Sequence, residues 1–104
     1  METTKALTDV LEQRKQKFIT ANTKIRLDHL DDFYLAIAAA CFLNNALDNS
    51  DLDGSVAYRN TPAPDYWPLH KEHWKPESVR QDLIHAANLL IDEVESIDRM
   101  AEGA

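Results

Sequence analysis

Phe33 to Leu43 reads FYLAIAAACFL, an eleven-residue run in which the Tyr34 hydroxyl is the one strongly polar side-chain group. Wound at helical pitch, such a run is apolar on every side and needs neighbours all round. A chain of 104 residues has room for about three helices, too few to surround it, so the run predicts self-association. It is too short for a membrane, because a span needs roughly 20 apolar residues and Asp31, Asp32, Asp48 and Asp51 flank it closely. The predicted class is all-α: about three helices, one central and apolar, joined by a long Trp- and Pro-containing loop and assembled into a homo-oligomeric helical bundle.

Charge narrows the partners. Eighteen acidic against eleven basic residues leave a net −7, which argues against nonspecific nucleic-acid binding, an attraction that comes mainly from phosphate neutralisation. Residues 1–26 nevertheless hold six basic groups (Lys5, Arg14, Lys15, Lys17, Lys24 and Arg26) against Glu2, Asp9 and Glu12. That segment is expected to lie on the acidic body of its own or a neighbouring chain. Cys41, the single cysteine, sits inside the apolar run, so no intrachain disulfide can form and burial is expected. With no apolar signal core in METTKALTDV, the cytoplasm is the expected compartment.

The chain divides as one helical domain, 1–104. A basic N-terminal helix or arm covers 1–26, its helix running from Thr4 to about Ala21 with Thr3 or Thr4 as cap. The central apolar helix covers 28–47 and begins near Asp28 to Asp31, where carboxylates suit the positive end of the helix dipole. A loop rich in Asp, Asn, Ser and Pro covers 48–75, with Val56 to Tyr58 as a short extended piece. An amphipathic helix covers 76–101, with Pro76 in its first turn and Val79, Leu83, Ala86, Ala87, Leu90, Val94 and Ile97 as its core face. Ile84 and Ile91 widen that arc beyond what one neighbouring helix covers.

Two constellations point to chemistry. Asp28 with Asp31, and Glu95 with Asp98, form pairs three residues apart bordering the apolar arcs. If the last two predicted helices pack antiparallel, the pairs meet at one end and four oxygen ligands converge on Mg²⁺, a hard ion suited to carboxylates. The alternative is a pair of solvated acidic helix ends. The second constellation is YWPLHKEHWKP, Tyr66 to Pro76, where aromatic and cationic side chains alternate. Trp67 and Trp74 could stack on a base while His70, Lys71, Lys75 and Arg80 meet phosphate, with Arg14 or Lys17 added from a neighbouring chain. The competing reading makes the tryptophans a plug at the end of the bundle. Asn49 to Asn60 imitates a calcium loop but carries Asn60 where the bidentate Glu belongs, so a polar turn is expected. Two glycines cannot build a phosphate loop, and no serine sits in a glycine-lined elbow.

His29 with Asp31 and Asp32, the LAIAAACFL segment, Trp67-Pro68, Trp74-Lys75-Pro76 and the ending DLIHAANLLIDEVESIDR together resemble a family of small all-helical proteins encoded by phages and prophages. That resemblance implies an accessory role in the host-cell cytoplasm. The paired acids also resemble, distantly, the MazG-like nucleotide pyrophosphatases, whose carboxylates hold magnesium ions that activate water. This chain lacks their EExxE helix. The leading expectation is a non-catalytic, homo-oligomeric binding protein, without cofactor, that captures an anionic nucleotide-like small molecule; by analogy with phage proteins this would be sequestration of a host immune signal. The alternatives are a Mg²⁺-dependent nucleoside triphosphate pyrophosphohydrolase and an acidic protein inhibitor of a host protein.

Overall fold

A computed structural model of the chain describes residues 3–21 and 33–103, with the backbone alone described for 17–21. Among the described residues the regular structure is entirely helical: α1 (Lys5–Ala21), α2 (Tyr34–Asp48), α3 (Val56–Arg59) and α4 (Val79–Gly103), with 3₁₀ turns at Ser50–Leu52 and Lys71–His73. None of these helices is long and apolar enough to cross a membrane.

The core is the antiparallel pair α2 and α4. Ala36 near the start of α2 meets Glu93 late in α4, and Phe42 further along α2 meets His85 early in α4. Small side chains set the close approach: Ala38, Ala39 and Ala46 of α2 and Ala86 of α4 are buried, interleaved with Leu35, Phe42 and Leu89. Cys41 is buried as expected, and burial pushes its thiol pKa up.

Three predicted boundaries need correction. The central helix begins at Tyr34, because Phe33 stands at φ 61°, ψ 30° in the left-handed region and breaks any helical run into it. No side chain caps this end from Phe33; instead the Ala36 N–H donates to Glu93 Oε1 at 3.1 Å across the helix pair. The last helix begins at Val79, since Ser78 Oγ accepts from the Gln81 N–H at 3.1 Å and Asp53 Oδ1 accepts from the Val79 N–H at 2.9 Å. Pro76 lies upstream of the helix and is buried. Residues 56–58 are helical, because Ser55 Oγ accepts from the Tyr58 N–H at 3.2 Å and nucleates the turn α3.

The connection between α2 and α4 is built rather than slack. Gly54 takes φ 82°, a backbone turn that a side chain would strain, and Asp53 beside it reaches α4. The sequence stretch that imitates a calcium loop therefore serves as a polar turn tying α3 to the start of α4. At the N-terminus Thr4 caps α1 as expected, its Oγ1 accepting from the Leu7 N–H at 3.2 Å.

The face of α4 that is buried differs most from expectation. Asp82, Ile84, Ala86, Asn88, Leu89, Glu93 and Ser96 are buried, whereas Leu83, Leu90, Val94 and Ile97 are 40–55% exposed. Asp82, Asn88 and Glu93 went inward with bonds that tie α4 to other parts of the fold, and apolar periodicity alone does not register that.

Candidate ligand surface

An aromatic cluster anchors the loop before α4. Phe42 stacks on Trp74 with ring centroids 4.9 Å apart and on His85 at 4.5 Å, while Trp67 stands edge-on to Phe42 at 5.5 Å and to Trp74 at 5.1 Å. Both indole N–H groups are spoken for. Trp67 Nε1 donates to the His70 carbonyl at 3.0 Å, and Trp74 Nε1 donates to the Thr61 carbonyl at 2.8 Å. The two tryptophans are half-buried and pack against the α2–α4 core. The rings thus form an aromatic platform packed on the core, in keeping with the plug reading.

On this platform sits a short basic edge. His70, Lys71, His73 and Lys75 are all exposed, held in a tight turn in which the Glu72 N–H approaches His70 Nδ1 at 3.4 Å and the His73 N–H donates to the His70 carbonyl at 3.0 Å. Glu72 Oε1, 3.9 Å from His70 Nδ1, is the nearest countercharge to that ring. The structure therefore brings together Trp67, Trp74, His70, Lys71 and Lys75.

The other expected ligand residues are placed elsewhere. Arg14 spans α1 and α4 within one chain, bonded to Asp92 at 2.9 Å, to Glu95 at 2.8 Å and to the Asn88 carbonyl at 3.2 Å. Arg80 pairs with Asp9 at 2.8 Å, and with Lys5 it holds the Asp9 carboxyl below its usual pKa. The described part of the basic N-terminal segment, α1, therefore lies against the acids of α4 in its own chain, one of the two placements its charge predicted. The Lys17 side chain lies outside the described part.

Of the acidic pairs, Asp28 and Asp31 fall outside the described residues. Glu95 is engaged by Arg14 and Asp98 is exposed. No group of three or more metal-ligating side chains is assembled among the described residues.

Sequence reasoning missed a buried polar pair. Tyr58 Oη donates to Asp82 Oδ2 at 2.7 Å, and the Glu77 N–H donates to Asp82 Oδ1 at 3.0 Å, so α3, the approach to α4 and α4 itself meet at one carboxyl. Burial raises both pKa values, and the Tyr58 bond opposes the rise at Asp82. Asn45 is buried nearby on α2; its Oδ1 accepts from Asn49 Nδ2 at 2.9 Å, and its Nδ2 has no partner. The signal available in sequence was positional: Asp82, Ala86, Leu89 and Glu93 lie on one helical face, but two acids on it look like solvent. The chain matches no protein-family model, no curated protein and no solved structure.

Proposed function

We propose that the chain is a non-catalytic, self-associating helical binding protein that takes an anionic, nucleotide-like small molecule on the 70–75 edge. One observation carries this reading: in a chain of net charge −7, four potentially cationic side chains stand exposed within six residues beside the aromatic cluster. Lys71 and Lys75 supply charge for phosphate, His70 and His73 add ring N–H donors, and the half-buried rings of Trp67 and Trp74 offer apolar contact to a base. The buried acids support binding over turnover, because Asp82 and Glu93 are bonded to backbone amides that close the fold.

The test is thermal denaturation of the intact chain with ADP-ribose, a cyclic dinucleotide and inorganic pyrophosphate in turn. At least one should raise the melting temperature, a gain lost in Lys71→Ala/Lys75→Ala and reduced by salt, and the ligand should come off intact. No shift with any of the three overturns anion capture. Ligand recovered hydrolysed in the presence of Mg²⁺ overturns the non-catalytic reading.

A further inference from the structure

We infer that two copies of this chain associate through a joint face of α2 and α4, with the α4 helices antiparallel. The inference stands apart from ligand capture, since a monomer could hold an anion and an empty dimer could form.

At 100° per residue α4 presents three faces. Ala86, Leu89 and Glu93 turn to α2 and Asp82 to Tyr58 of α3, while Asn88 and Asp92 turn to α1. The third face carries Leu83, Ala87, Leu90, Val94 and Ile97, alternately four and three residues apart, with no charged residue among them. Four of these are large and 40–55% exposed. On α2, Leu43 at 40% and Leu47 at 64% exposure lie to the same side of the antiparallel pair, so the stripe widens into a two-helix face. The aromatic loop and α1 lie on the other sides.

Three features make a second copy the occupant. The spacing is that of a coiled-coil seam, and one antiparallel register sets large against small at both ends, Leu83 opposite Ala101 and Ile97 opposite Ala87, with Leu90 opposite Val94 at the centre. Charge selects the same direction. From Asp92 onward α4 carries five acids against Arg99, whereas its first half balances Arg80 with Asp82; antiparallel packing separates the two acidic halves and parallel packing would abut them. The size is also adequate: a face roughly 25 Å by 20 Å gives about 1,000 Å² over two copies, the lower end for a specific interface.

Sedimentation equilibrium of the intact chain tests this, with melting temperature read across protein concentration. The wild type should be dimeric at about 200 μM and melt higher as concentration rises. Leu90→Glu and Val94→Glu, each at a half-exposed site, should give helical monomers, and Val56→Glu on the exposed side of α3 should leave the dimer intact. An equimolar mixture of Ala87→Cys and Ile97→Cys, both in a Cys41→Ala background, should cross-link as a heterodimer, while Ile97→Cys alone should not. A monomeric wild type with a concentration-independent melting temperature overturns the inference. So does a dimer unaffected by both glutamates, and cross-linking by Ile97→Cys alone overturns the antiparallel arrangement.

Discussion

Asp82 and Phe33 show two ways in which single residues fix this fold. Asp82 accepts one bond from Tyr58 Oη and one from the Glu77 N–H, so removing either end leaves a buried polar group unpaired. Tyr58→Phe should cost about 1–3 kcal/mol in denaturant unfolding, whereas Asp82→Asn, which keeps an acceptor for Glu77 and gains a donor for Tyr58, should cost less than Asp82→Ala. The pH dependence follows from the raised folded-state pKa of Asp82. A carboxyl raised on folding contributes stability that is complete below the unfolded value near 3.8 and lost as pH rises through the folded value. The wild type should therefore gain stability relative to Asp82→Asn as the pH is lowered; an unchanged difference across the acid range would remove burial as the cause. At Phe33, φ 61° is unfavourable for any side chain with a β-carbon. Phe33→Gly should raise unfolding stability by about 0.5–1 kcal/mol, and a loss would show that the exposed ring has a partner.

At the scale of elements, what could be read in advance depended on which force decided each boundary. The apolar run from Phe33 announced α2, and Thr4 announced α1, because hydrophobic periodicity and side-chain caps are local signals. The starts of α2 and α4 also depend on Glu93 and Asp53, partners distant in sequence that no local pattern marks, although Ser78 caps α4 locally. The same holds for the site. Trp67, His70, Lys71, Trp74 and Lys75 were legible as a group because they are contiguous, while Arg14 and Arg80 were assigned to a ligand although acids from another helix of the same chain hold them. Arg14 is the most connected of these, touching Asp92, Glu95 and Asn88. Arg14→Ala should cost about 1–3 kcal/mol, with part of the loss hidden at high salt, and should raise amide exchange in α1 before α4. Uniform exchange across both helices would contradict the view of α1 as a strap held by ion pairs.

At the scale of the whole molecule, self-association was first suggested by α2, yet the structure shifts the uncovered apolar surface largely to α4. Ala38, Ala39, Cys41 and Phe42 are enclosed within the chain, whereas Leu90, Val94 and Ile97 are not. That exchange follows from the polar residues drawn inward on α4, which turned its regular apolar stripe outward. The basic edge lies with the aromatic cluster rather than on this stripe, so the proposed dimer would leave it open. The most direct measurement is native mass spectrometry of the wild-type chain, alone and after incubation with ADP-ribose, a cyclic dinucleotide or pyrophosphate. A species at twice the 11.8 kDa chain mass that gains the mass of an intact anion is the predicted result. A single-chain species that takes up none of the three would contradict the account.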